Sequence, residues 1–316
     1  MGISSRVTGV DIGHYSIKAV TLTPTHHDMY SVVFCAELLV PCGIFADNHM
    51  LDYQKIVKKL KELKKTLPVF SYKVATSIPD SAVITKQLQL DSYQLSHLDI
   101  KSHVQEQLPF LSEDLSFDYI PSVEVHSSTH LGPRYQVVAT RQSLIANRTS
   151  LFESAGFTPL MVNQQANSLS AVWHFLAQKM GQQHWFILEI GLTQVTLCHG
   201  GADEMSFYQT NTRYEELTDS GRPLWVEWVE QQIAMYRSGA DVRRIDGIWV
   251  GGGGGCSAQL LHDLNRWLVL PTKAIPIDQL CDMRSTQLVL SSNYTAAFGM
   301  ALSGLHWMRS RHALCN

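Results

Sequence analysis

Residues 11–18 run Asp11-Ile12-Gly13-His14-Tyr15-Ser16-Ile17-Lys18, and residues 189–196 run Glu189-Ile190-Gly191-Leu192-Thr193-Gln194-Val195-Thr196. Each is an acid, an isoleucine, a glycine, three further residues and a β-branched residue, and each follows a short apolar run, at 7–10 and at 185–188. An apolar run, a glycine turn and an alternating run describe a hairpin. One such hairpin in each half of the chain describes a duplicated fold with two lobes. The turn also carries chemistry. Glycine bends the backbone tightly enough for successive N–H groups to converge on phosphate oxygens, and a carboxylate just before it can hold the water shell of Mg²⁺. Asp11, Gly13, Glu189 and Gly191 are therefore candidate phosphate and metal-water residues, with Ser16, Thr193 and Thr196 supplying hydroxyls and Lys18 a point charge. Acid-x-Gly is common at strand ends, so the argument rests on the matched pair and not on either copy.

Outward from the second hairpin, a strand at 245–250 runs into five consecutive glycines at 251–255 and then a helix from about 257 to 268. Glycines between a strand and a helix let a flat base or a ribose approach the backbone, which makes Gly251, Gly252 and Gly253 candidate nucleotide contacts; a flexible linker is the alternative. Outward from the first hairpin, residues 51–67 place Tyr53, Ile56, Val57, Leu60, Leu63 and Leu67 at helical spacing, with six lysines facing elsewhere. A solvated helix face is preferred there over a lipid-binding one. Residues 72–140 read as a small inserted α+β module, with strands at 74–78, 83–90, 117–120 and 135–140 and a helix near 95–108. Further helices are expected at 144–155, 224–236 and 294–308. The divisions that follow are 1–71 for the start of the first lobe, 72–140 for the module, and 141–180 for the lobe's end and the inter-lobe connection. Residues 181–292 are the second lobe, and 293–316 a final helix returning to the first.

Composition narrows the function. With 316 residues, 45% apolar and 17% charged, the chain can bury a large core. Its 25 basic and 28 acidic residues leave a formal charge of −3, which gives no field for nucleic acid. The six cysteines, at 35, 42, 198, 256, 281 and 315, show no zinc-ligand spacing, and reduced thiols in a cytosol are the simplest reading. No apolar run is long enough to span a bilayer. His126 and His130 are read as loop histidines, and Trp225, Trp228, Phe298 and Ala301 as packing residues.

The chain resembles the PilM family of type IV pilus assembly proteins, within the actin, heat-shock ATPase and FtsA superfamily. The resemblance is carried in order by residues 10–13 and 18–20, Ile78-Pro79, 104–110 with Asp118-Tyr119, Val138-Ala139-Thr140-Arg141, Ala155-Gly156-Phe157, the second hairpin, the glycine run and Ala297-Phe298-Gly299-Met300-Ala301-Leu302. It implies a two-lobed actin-like ATPase (ribonuclease H-like) α/β fold. It implies that 72–140 is an interaction subdomain beside a groove for the amino-terminal cytoplasmic tail of a PilN-like inner-membrane protein. It also implies a cytoplasmic location peripheral to the bacterial inner membrane through that partner and other pilus components, without membrane insertion or nucleic acid, and a cleft for ATP and Mg²⁺.

Two departures weaken the catalytic half of that expectation. Glu189 replaces the family's aspartate and moves the carboxylate out by about 1.5 Å. Only residues 211–223 join the strand near 205–210 to the helix at 224, where the family carries helices of the second lobe's upper subdomain, so that subdomain is expected to be reduced. Hydrolysis also needs a group that orients water, and Gln165, with Gln164 beside it, is the candidate. A scaffold with at most weak ATPase activity is expected. A superfamily phosphotransferase and an FtsA-like filament former are the alternatives.

Overall fold

The computed structural model describes residues 6–25, 29–41, 52–89, 102–104, 106, 114–121, 134–200, 205–213, 216–218, 221–239, 244–254, 257–283 and 290–314. In chain order these form β1 (Val7–Ile12), β2 (Ser16–Pro24), β3 (Tyr30–Leu39), α1 (Tyr53–Thr66), β4 (Lys73–Ile78), β5 (Ile84–Gln89), β6 (Leu115–Pro121), β7 (Arg134–Arg141), α2 (Gln142–Ser154), β8 (Thr158–Gln164) and α3 (Gln165–Met180). The second half adds β9 (Trp185–Ile190), β10 (Gln194–Gly200), β11 (Met205–Thr212), α4 (Leu224–Arg237), β12 (Gly247–Gly251), α5 (Ala258–Leu268), β13 (Thr272–Ala274), α6 (Ile277–Leu280), β14 (Asp282–Met283) and α7 (Thr295–Leu314).

Both glycine turns close hairpins. β1 and β2 pair antiparallel with Ile12 opposite Ile17, and Gly13 N–H donates to the Ser16 carbonyl at 3.0 Å. β9 and β10 pair with Ile190 opposite Val195, and Gly191 N–H donates to the Gln194 carbonyl at 2.8 Å. The repetition extends beyond the hairpins. One sheet runs β14-β3-β2-β1-β4-β8 and the other β11-β10-β9-β12-β13. In each, an antiparallel meander of three strands is extended from its first strand by two parallel ones, β4 and β8 in one lobe and β12 and β13 in the other.

Helices cover both faces of each sheet, as buried parallel strands require. On the outer face of the first sheet, Ile56, Leu60 and Leu63 of α1 meet Leu151 and Phe152 of α2 over Val10 and Ile17. On the outer face of the second, Trp225 and Val229 of α4 and Leu264 of α5 pack on Leu188 and Ile248. α3 and α7 lie between the sheets, where Leu169, Val172, Ala297 and Met300 share one core with Val7 and Val20 of the first sheet and Ile187 and Trp249 of the second. Each fully buried Leu, Ile or Phe contributes about 1.5–3 kcal/mol relative to exposure. Small residues set the spacing: a β-carbon on Gly9 would lie 2.0 Å from the Ala297 carbonyl oxygen, and one on Gly299 2.1 Å from that of Ser168.

A separate three-stranded sheet, β5-β7-β6, has its own small core of Leu88, Val104, Leu115, Val137 and Ala139. The strand at 74–78, expected in the module, does not join it. As β4 it pairs parallel with β1 and β8 in the first lobe's sheet, because its buried Val74, Ala75 and Ile78 complete that core. The module therefore begins after Ile78. The helix expected near 95–108 falls largely outside the described residues, as do His126 and His130. The described residues between β11 and α4 hold no helix, only a bridge between Leu217 and Pro223. α7 runs past its expected end at 308 and packs there on the first lobe: the Tyr30 hydroxyl pairs with His306 Nε2 at 3.0 Å, and Arg309 lies 5.6 Å from the Tyr30 ring.

Candidate functional site

The two hairpins point into one cavity of about 790 Å³ between the lobes, lined by Asp11, Gly13, Ser16 and Lys18 from the first and by Glu189, Gly191, Thr193 and Thr196 from the second. Their tips touch across it, with Thr193 Oγ1 3.5 Å from His14 Nδ1. Gln165, the first residue of α3, lines the same cavity, whereas Gln164 turns to Asp80. Asp80 fixes that corner by accepting the Ala166 N–H at 3.0 Å and the Tyr208 hydroxyl of β11.

The described part of the glycine run, 251–254, divides in two. Gly253 and Gly254 line the cavity, while Gly251 and Gly252 are buried beneath its surface. Gly251 is required for a reason other than ribose approach: a β-carbon there would lie 2.4 Å from Thr295 Oγ1 and 2.7 Å from Glu189 Oε2. Gly252 has φ +88° and sits against the Ile190 carbonyl, a conformation L side chains rarely adopt. The segment from Gly251 to Gly254 is a tight turn from β12 over the second hairpin, not a linker.

Hydroxyls also separate by role. Ser16 Oγ donates to Glu37 Oε1 at 2.6 Å, and Thr196 Oγ1 pairs with Thr210. Both are committed to neighbouring strands, which leaves Thr193 at the turn as the hydroxyl best placed for a ligand. Lys18 pairs loosely with Glu37 at 3.8 Å, and its ammonium crosses toward the second lobe, to where a β-carbon on Gly253 would come within 2.6 Å of it.

The electrostatics centre on two acids. Burial raises the Asp11 carboxyl above its usual value, against the opposing pull of Lys18 and Arg148. Burial, and then the proximity of Asp11, pushes Glu189 up to about 8, and its Oε2 has no hydrogen-bond partner among the described residues. Two neighbouring acids that disfavour each other's ionisation, half-buried Asp11 and buried Glu189 with its orphaned oxygen, fit a hydrated divalent cation, and the exposed Gly253 beside Gly254 fits the backbone approach a nucleotide needs.

Sequence reasoning missed Glu37, Ser77, Asn293 and above all Arg148, all of which line the cavity. Arg148 had a readable signal. It falls on the stripe of α2 that buries Leu144, Leu151 and Phe152, so a charge was interrupting an apolar face.

A model of the type IV pilus assembly protein PilM family matches residues 9–212, about two-thirds of the chain. This chain belongs to the PilM family. No curated protein sequence matches it. Among solved structures, the PilM-PilN type IV pilus biogenesis complex is similar with a TM-score of 0.73 at 16% identity, over 95% of this chain and 98% of that one. The ethanolamine utilization protein EutJ from Carboxydothermus hydrogenoformans is similar with a TM-score of 0.51 at 12% identity, over 94% and 89%. The cytoplasmic domain of EpsL, an inner membrane component of the Vibrio cholerae type II secretion system, gives a TM-score of 0.50 at 8% identity, over 95% of each chain. The PilM-family chain thus has the actin-like ATPase fold, two ribonuclease H-like lobes about a shared cleft.

Proposed function

We propose that this PilM-family chain is a cytoplasmic scaffold of type IV pilus assembly, or of a related pilus or competence system. The amino-terminal tail of a PilN-like partner holds it, with other pilus components, at the inner membrane. The observation that carries the reading is the β5-β7-β6 module with its own small core, in a chain of which 95% is similar to the PilM-PilN complex. Among the described residues no helix is long and apolar enough to cross a membrane, which is compatible with attachment through a partner.

The cleft in this reading takes Mg-ATP loosely. Backbone at Gly13, Gly191, Gly253 and Gly254 would cradle it, Lys18 and Thr193 would contact phosphate, and Asp11 and Glu189 would hold the cation through water. A bound divalent cation supplies charge neutralisation for the polyphosphate. Gln165, which lines the cavity, would orient a water in this reading, and a lone amide supports slow turnover at most. Calorimetric titration with a synthetic peptide of a PilN amino-terminal tail tests the central claim. Saturable binding in the micromolar range is expected, and no heat at high micromolar peptide would overturn it.

A further inference from the structure

Arg148 is 2% exposed, yet it lines the cleft alongside Asp11, Gly13 and Lys18. Its Nε has no hydrogen-bond partner, and no hydrogen bond or ion pair joins the side chain to any described residue. Asp11 acts on it only through space. An arginine cannot shed its charge and carries five donors in a fixed fork, so burying one unpaired is costly. An apolar residue would complete the stripe of Leu144, Leu151 and Phe152 without that cost. Among the described residues no group takes these donors.

We infer that Arg148 is the anchor of a phosphoryl subsite on the first-lobe wall of the cleft, where its planar fork takes two oxygens of the outermost phosphoryl group of a polyphosphate ligand. The fork matches phosphoryl geometry in a way a lysine point charge does not. Its placement gives the order along the ligand. Gly253 and Gly254 belong to the second lobe and Arg148 to the first, and with the nucleoside on those glycines, as the reading above has it, we place the last phosphoryl at Arg148. Charges facing the cleft are Lys18 and Arg148 against Asp11, Glu37 and Glu189, so the anion enters with its divalent cation. The identity of the ligand as a nucleotide rests on the reading above; the subsite does not.

The test is calorimetry in Mg²⁺ at fixed salt on the full chain and on Arg148→Gln and Arg148→Lys, with ATP, ADP and inorganic tripolyphosphate as probes. Arg148→Gln should weaken ATP and tripolyphosphate at least tenfold and ADP less than threefold, with Arg148→Lys between Gln and the native residue. An unchanged ATP-to-ADP ratio in folded Arg148→Gln overturns the inference while leaving nucleotide binding standing. Should Arg148→Gln not fold, Arg148→Lys decides: a selective threefold or greater loss for ATP supports the subsite, and native affinities overturn it. Tripolyphosphate binding that depends on Arg148, without nucleotide binding, supports the subsite and removes the nucleotide. No binding of any probe by the native chain overturns both.

Discussion

Glu189 occupies a position that its charge disfavours. Its folded value of about 8 lies above the ordinary 4.5, so the folded chain keeps a proton that the unfolded chain has released. Stability therefore falls as pH rises across that window and levels off above about 8. Glu189→Gln removes the penalty, on the order of a few kcal/mol. Its melting temperature should exceed that of the native chain by several degrees at pH 8.5 and by little at pH 4.5, measured without divalent cation. Equal curves at both pH values would show that folding leaves the proton affinity of this carboxyl unchanged. The same substitution should abolish any stabilisation by Mg-ATP, as the proposed hold of Glu189 on the cation's waters requires. The sequence exposed Glu189 through its hairpin register. It hid the commitment of Ser16 to Glu37 and of Thr196 to Thr210, because those partners lie on strands that only pairing brings alongside.

Among the elements, α3 and α7 hold the lobes together. Gly299→Ala would drive a β-carbon to 2.1 Å from the Ser168 carbonyl and 2.9 Å from Val172 Cγ2. Overpacking of this kind costs about 1–3 kcal/mol, and urea denaturation should show a lower midpoint with the slope unchanged. The start of α3 is held differently, by Asp80 just past β4, which accepts from the Ala166 N–H and from the Tyr208 hydroxyl of the second lobe. Tyr208→Phe leaves a largely buried carboxyl short of one donor, a loss of about 1–3 kcal/mol. Faster amide exchange confined to the first turn of α3 would mark this contact as an inter-lobe pin; unchanged exchange would mark it as packing only. Helices α1, α2, α4 and α5 were legible because each has an apolar stripe at helical spacing, and α7 as an apolar run over 296–302 that is buried on most sides. β13 and β14 were not, being three and two residues long, too short for any period to register.

At the scale of the molecule, the duplication was readable from two eight-residue stretches because a glycine turn before a β-branched residue has few structural solutions. Sheet membership was not readable. β4 has the composition of a strand in either sheet, and only its parallel pairing with β1 and β8 decides between them. Two lobes enclosing one cavity also predict a global response to ligand. Mg-ATP at a hundred times its dissociation constant should add about 2.7 kcal/mol to stability, seen as an upward shift in thermal melting, and the shift should vanish in EDTA. A shift of equal size from ATP in EDTA would remove the cation from the site.

The first sheet is finished by the last parts of the chain, β14 at its edge and α7 across Val7 and Ala75. The outer half of the second lobe comes instead from continuous sequence, β9 through β13 with α4 and α5. On the ribosome, then, the half begun first is completed last. Until residues 295–314 emerge, the nascent protein carries an uncovered greasy surface over β1, β2 and β4, a natural landing place for chaperones, and translation arrested before α7 should yield a chain marked for degradation.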